Sequence, residues 1–255
     1  MLLKQKVALV TGSGRGIGAA IAAQFAQEGA IVVVNLLQYR ERAEATVKRI
    51  REAGGTAIAL QADVTRADEV NQLVKQIWAE FSGLDIVVNN ALSHYRFDPK
   101  QLELLTTIPW QSYQTQLNGS LGGAYNVCHA ALPVMMTQGS GRIINIASNL
   151  VQFPVIPYHD YITAKAALIG YTRSLASEAG AYGILANAIA PGLTYPTDSS
   201  RATPEDTREA IIKLTPTKRL TVPADVAGCA TFLASDLCRN LTGQCLSVDG
   251  GLVMG

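Results

Sequence analysis

Short apolar runs alternate with longer amphipathic stretches from one end of the chain to the other. The apolar runs fall at residues 7–11, 31–35, 56–61, 84–88, 142–147, 184–190 and 244–248. They are five to seven residues long and mostly uninterrupted by polar positions, which suits strands buried on both faces. Between them lie an Ala-rich stretch ending near Glu28 and amphipathic stretches at 40–53 and 66–81. A long stretch at 113–136 carries Gly119, Gly122 and Gly123 near its start, and another runs from the Tyr161 region to about Ala181. The small residues of the first suit close packing, against a second subunit among other neighbours. Strands separated by single helices predict an α/β fold, a parallel sheet flanked by helices on both faces. No repeat, low-complexity tract or linker divides the chain, so one domain is expected over residues 1–255.

Three segments depart from the alternation. Residues 92–112 show no clear period and read as a loop bordering a site. Residues 193–203 carry Thr, Ser, Pro and Asp, too polar for core, and read as a mobile lid with a short helix at 204–213. Thr221-Val-Pro-Ala-Asp225 starts a further helix with a Thr or Asp cap and Pro in its first turn.

The first strand runs directly into Gly12-Ser-Gly-Arg-Gly-Ile-Gly18 and then a helix. Glycines at such a corner let backbone approach a pyrophosphate, and the helix N-terminus offers unpaired N–H groups and a positive dipole end. Two registers fit, Gly14-x-Gly16-x-x-Ala19 or Gly12, Gly16 and Gly18 as G-x-x-x-G-x-G. The second strand ends at Asn35, where an acidic residue would hold the ribose hydroxyls of NAD. The sequence there is Asn35-Leu-Leu-Gln-Tyr-Arg40, with no acid before Glu41. Arg40, or Arg15 inside the glycine loop, is instead placed to meet a 2′-phosphate, so NADP is expected over NAD. If the ligand crosses the carboxyl edge of the sheet, Asp63 lies near its adenine and Asn90 near its ribose.

A second constellation lies further along. Ser148 follows the strand at 142–147, and Tyr161 and Lys165 stand four residues apart in Tyr-Ile-Thr-Ala-Lys, on one face of a helix. A phenol titrates near ~10 in water, and a neighbouring ammonium is expected to lower it toward the range useful for proton transfer. Ser148 is then placed to donate a hydrogen bond to the same reacting oxygen.

At 255 residues and 48% apolar composition the chain can bury a large core. A formal net charge of +1 gives no basic field of the kind that attracts nucleic acid or an anionic membrane. Cys128, Cys229, Cys238 and Cys245 form no C-x-x-C pair and read as free thiols in a reducing compartment, with no metal site. No signal-peptide core and no run of ~20 apolar residues is present, so a cytoplasmic protein is expected.

The glycine loop, Asp63-Val64, Asn89-Asn90-Ala91, Ser148, Tyr161-x-x-x-Lys165 and Pro191-Gly192 occur in this order. With them the chain resembles the short-chain dehydrogenase/reductase family over essentially its whole length, closest to the 3-oxoacyl-carrier-protein-reductase-like members. The thirteen-residue step from Ser148 to Tyr161 and the ending Leu-Thr-Gly-Gln-Cys-Leu-Ser-Val-Asp-Gly-Gly carry the likeness. The resemblance implies a seven-stranded Rossmann sheet, hydride transfer between a nicotinamide and a carbonyl carbon, and a homotetramer built on the two long helices. It makes Tyr161 the proton donor in reduction, has Lys165 bind the nicotinamide ribose and lower the phenol's pKa, and has Ser148 hold the substrate oxygen. Gly12, Arg15, Ile17 and Gly18 fall on the phosphate loop with Gly16; Asp63 and Val64 fall at the adenine, Asn90 at the ribose and Thr194 at the carboxamide.

Two positions depart from the family pattern. Asn-Asn-Ala-Gly becomes Asn-Asn-Ala-Leu92, and the relay asparagine falls on Ser120, with Asn118 two residues earlier. Ser120 is favoured as the occupant, unless a helix distortion brings Asn118 into place. The segment before it is longer than usual by about six residues. The ends of both long helices lack Lys and Arg, which an acidic carrier protein would want, so a free small ketone or alcohol is expected as substrate. The alternatives are a 3-oxoacyl-carrier-protein reductase and a catalytically weakened nucleotide-binding regulatory protein. His94, His129 and His159 are expected in surface or packing roles.

Overall fold

The β-branched and aliphatic residues of the apolar runs do form strands. In the computed structural model, which describes residues 1–92 and 103–254, these are β1 (Val7–Val10), β2 (Ile31–Leu36), β3 (Thr56–Gln61), β4 (Ile86–Asn89), β5 (Gly141–Ile146), β6 (Ile184–Pro191) and β7 (Cys245–Val248). They make one seven-stranded sheet in the order β3-β2-β1-β4-β5-β6-β7, parallel throughout. Successive side chains point to opposite faces. Val10, Val34, Val88 and Ile144 enter one core with α1 (Gly16–Gln27), α2 (Arg40–Glu52) and α8 (Pro223–Ala234). Leu9, Val33, Val87 and Ile143 enter the other with α3 (Ala67–Phe81), α5 (Gly123–Gln138) and α6 (His159–Ala179). Two further helices, α4 (Trp110–Leu117) and α7 (Glu205–Leu214), complete the set.

Strand order reverses between β1 and β4. Chains leaving the carboxyl ends of these neighbours diverge to opposite faces, which opens the crevice where ligands bind in such sheets. The glycine loop follows β1 and the Asn90 turn follows β4, so both line it.

The stretch expected as one helix over 113–136 is more elaborate. It begins at Trp110, after extended Pro109, and is interrupted by a π-helical turn, Asn118–Gly122, before α5 continues. Gly119 and Gly122 lie inside that turn, and a Cβ on Gly123 would sit 2.8 Å from Val64. The helix approaches the end of β3 closely because no side chain stands between. The cap expected from Thr221 or Asp225 also differs. Val222 takes the cap position, and Asp225 accepts the Val222 N–H at 2.9 Å from inside the first turn. Residues 93–102, including His94, lie outside the described residues. Among the described residues no helix is long and apolar enough to cross a membrane.

Candidate active site

The glycine loop is held by polar side chains beneath it. Thr11 Oγ1 accepts the backbone N–H groups of Asn90 and Ala91, each at 3.0 Å, and Asn90 Nδ2 donates to the carbonyls of Thr11 at 2.9 Å and Gly12 at 3.2 Å. Gly12 is left-handed, φ 62°, and a Cβ there would stand 2.9 Å from Ala91 Cα. A Cβ on Gly18 would meet Asn90 Nδ2 at 2.5 Å. The loop is therefore pressed against the β4 turn at two points where only glycine fits. Gly16 (φ 55°) opens α1, whose first turn has no side-chain cap, and this leaves N–H groups for an anion. Ile17 packs against the core behind the loop.

Asn35, expected at the ribose, is instead a buried brace. Its Nδ2 donates to the Ala62 carbonyl at 3.1 Å and its Oδ1 accepts the Gly12 N–H at 3.4 Å. At 1% exposure this amide lies beneath the loop and not at its open side. Asp63 accepts the N–H and hydroxyl of Thr65 at 2.9 and 2.7 Å, closing the turn into α3. Val64 is buried beside Gly123, and its carbonyl accepts from Asn126 at 2.9 Å.

The structure does not bring Arg40 to Arg15. Arg40 is exposed and pairs with Glu44 on its own helix at 3.4 Å. Arg42 faces the loop instead, with its guanidinium 4.9 Å from the Tyr39 ring centre. Residues two apart on a helix point about 200° apart, so only one of these arginines can face inward. Left-handed Tyr39 (φ 59°) immediately before the helix sets that phase. Arg42 Nη1 and Arg15 Nη1 both contact Asp198 Oδ2, at 2.8 and 3.0 Å. The Arg15 guanidinium, with Arg42 and Arg201, holds the Asp198 carboxyl below its ordinary range.

At the end of β5, Ser148 is buried, with its hydroxyl close enough to the Tyr161 phenol to favour the phenolate. It also accepts the Leu150 N–H at 3.3 Å. Lys165 is 4% exposed, and its Nζ donates to the Ile146 carbonyl at 2.7 Å. The expected lowering of the phenol by the ammonium does not hold in this arrangement. Burial pushes Tyr161 up, the nearby Ser148 hydroxyl opposes this, and burial pushes Lys165 down to about 8. The lysine is turned to a backbone carbonyl, 5.8 Å from the Tyr161 ring centre, so desolvation outweighs its charge.

Ser120 lies in the π turn, buried, and its Oγ has no hydrogen-bond partner among the described residues, whereas Asn118 is exposed. The π turn thus does not bring Asn118 inward. Thr194 is buried and its hydroxyl donates to the Gly192 carbonyl at 3.0 Å. Asp249, which carries no role in the sequence reading, accepts from Asn149 Nδ2 at 3.1 Å and from the N–H groups of Gly251 and Val253, each at 3.1 Å. It fastens the chain's end to the residue after Ser148. A hundred residues separate Asn149 from Asp249, and no local pattern links them.

All four cysteines are free. His129 is exposed and stacks on Tyr125, ring centres 5.5 Å apart. Among the described residues no cluster of three or more His, Cys, Asp or Glu could hold a metal.

A doubly wound parallel sheet with a glycine loop at its switch point, and a hydroxyl, phenol and buried ammonium at the adjoining strand end, defines a dinucleotide-fold oxidoreductase. The family model adh_short_C2, described as enoyl-(acyl carrier protein) reductase, matches residues 12–253. A 3-oxoacyl-[acyl-carrier-protein] reductase of Synechocystis sp. is 40% identical over 255 residues, 99% of this chain and 98% of the relative. The FabG protein of that activity from Staphylococcus epidermidis is 36% identical over 249 residues, covering 98% and 99%. A gluconate 5-dehydrogenase from Burkholderia cenocepacia, solved with NADP and tartrate, superposes with a TM-score of 0.89 at 32% identity, covering 98% of this chain and 96% of that one. The chain belongs to the short-chain dehydrogenase/reductase family, whose members act on carbonyl and alcohol groups.

Proposed function

We propose that this protein is an NADP-dependent oxidoreductase that interconverts a carbonyl and a secondary alcohol, with Tyr161 as general acid and base. The convergence of the Ser148 hydroxyl and the Tyr161 phenol, with buried Lys165 one turn on and its Nζ 5.8 Å from the phenol ring centre, carries this reading. The residues fit the cofactor. Gly12 and Gly18 let the loop close against the β4 turn, the uncapped first turn of α1 from Gly16 leaves N–H groups for the phosphates, and Arg15 and Arg42 already converge on an anion, the Asp198 carboxylate. Asn90 and Thr194 would hold the nicotinamide end, and Asp63 and Val64 the adenine. When bound, NADPH supplies the hydride.

The chain's own residues handle the proton. Ser148 orients the carbonyl oxygen by hydrogen bond. Burial raises Tyr161 and keeps its proton in place until negative charge develops on that oxygen. Lys165 sets a positive charge beneath the phenolate that forms. Ser120 Oγ, buried without a partner among the described residues, takes the relay position between this lysine and water. Tyr161→Phe is expected to lower turnover about 10³-fold or more, within the range of general acid catalysis, while NADPH binding survives. Retained turnover in that variant would remove the assignment.

Two substrate classes divide the relatives. The curated reductases favour a 3-oxoacyl group on a carrier protein, while the gluconate dehydrogenase and the helix ends at 136–141 and 177–183, which lack Lys and Arg, favour a free small ketone or alcohol. We favour the free substrate. Equal kcat/KM for a 3-oxoacyl group on the carrier and on a short thioester supports it, and strong preference for the carrier reverses it. A homotetramer is proposed on the outer faces of α4, α5 and α6, where Trp110 and Tyr125 stand 65% and 50% exposed. Four free thiols support a cytoplasmic setting.

A further inference from the structure

We infer that Asp198 sets the preference between NADPH and NADH by competing with the cofactor's 2′-phosphate for Arg15 and Arg42. The inference rests on the proposed role of those two arginines.

Asp198 lies between Thr194 and α7, in the polar stretch expected as a lid. That stretch lies over the glycine loop, since a Cβ on Gly16 would be 3.8 Å from Thr197. Within it Thr197 and Ser200 fix the turn, with the Thr197 N–H donating to Ser200 Oγ at 2.9 Å and the hydroxyls 2.9 Å apart. The Asp198 carboxylate meets Arg15 and Arg42, and one oxygen, Oδ2, takes both guanidinium contacts at 2.8 and 3.0 Å. Arg201, from the same turn, stands 3.9 Å from the other oxygen.

Two forked cations from separate elements, the glycine loop and α2, converge on a single oxygen. That geometry also suits a phosphate oxygen. The same guanidinium N–H groups cannot serve carboxylate and phosphate together, and the two anions repel. The 2′-phosphate therefore enters by exchange, displacing Asp198 and freeing the lid turn from the glycine loop. NADH carries no such phosphate and leaves the three-way pairing intact. The side chains of Arg15, Arg42 and Asp198 are 54%, 45% and 31% exposed, so the exchange takes place in water-screened surroundings where each pairing is weak. Asp198 thus narrows the discrimination in favour of NADPH.

The test is fluorescence titration of the full-length protein with NADPH and with NADH at low salt, for the parent chain and for Asp198→Asn and Asp198→Ala. NADPH should bind about three- to tenfold tighter in both variants, the size expected on removing a competing exposed pair, with NADH affinity changed by less than about twofold. Displacement by 2′,5′-ADP, which has the phosphate and no nicotinamide, should improve by the same factor. An unchanged NADPH to NADH ratio, an equal shift for both cofactors, or weaker NADPH binding would overturn the inference. Arg42→Ala separates its failure from that of the underlying reading. If Arg42→Ala leaves the ratio unchanged, the arginines do not hold the phosphate. If it lowers the ratio while the Asp198 variants leave it unchanged, only the competition is wrong.

Discussion

The two cationic regions of this protein are built in opposite ways. Arg15 and Arg42 stand about half in solvent around Asp198, whereas Lys165 is 4% exposed and its Nζ donates to a backbone carbonyl. Exposed guanidiniums never lose their charge and exchange anions cheaply, which suits reversible binding. A buried ammonium is poorly solvated and gives up its proton readily, which suits a group that must assist proton transfer. Desolvation, more than charge alone, separates the binding end of the site from its chemical end.

The comparison breaks first at the buried end. Lys165→Met should lower kcat about 10²- to 10³-fold, in line with the loss of one preorganised electrostatic group, while NADPH affinity falls much less. Steady-state kinetics beside cofactor titration would show it, and an equal loss in both would mean that the lysine only binds. Next in size is the pH response. Burial pushes Lys165 down to about 8, so it carries its charge below that value, and Tyr161, pushed up by burial, keeps its proton there. Reduction needs both protons in place, so kcat/KM should hold below about pH 8 and fall toward tenfold per unit above it, as one essential acid titrates. Lys165→Arg, where it retains activity, should carry the plateau upward. The smallest effect belongs to the exposed end. Raising salt from 0.01 to 1 M shortens the screening length from about 30 to about 3 Å, and NADPH binding should weaken severalfold more than NADH binding. Equal weakening would place the arginines away from the 2′-phosphate.

Each strand appears in the sequence as an apolar run because both sheet faces are covered, and each crossover helix appears as an amphipathic stretch between runs. The glycine loop and the Ser148, Tyr161 and Lys165 spacing are legible for the same local reason. The residues that must cooperate are close in sequence or lie at successive strand ends. The errors came where orientation mattered. Arg40 and Arg42 are two residues apart, and a left-handed Tyr39 decides which faces the loop. Asn35 sits at the right strand end, yet its amide is consumed by Ala62 and Gly12. The lysine's effect on the phenol depends on burial and on where Nζ points, and spacing along the chain carries neither.

The linear order of residues determined the fold class, the glycine loop after the first strand and the grouping of Ser148, Tyr161 and Lys165 at one strand end, since periodicity and short-range spacing encode them. Tertiary structure alone decided that Arg42 and not Arg40 reaches Asp198, that Ser120 is buried while Asn118 is exposed, that Asp249 holds the Ser148 loop, and that Asp198 bridges Arg15 and Arg42. Those outcomes depend on contacts between segments far apart in sequence and on the loss of water around them. Both are properties of the packed molecule.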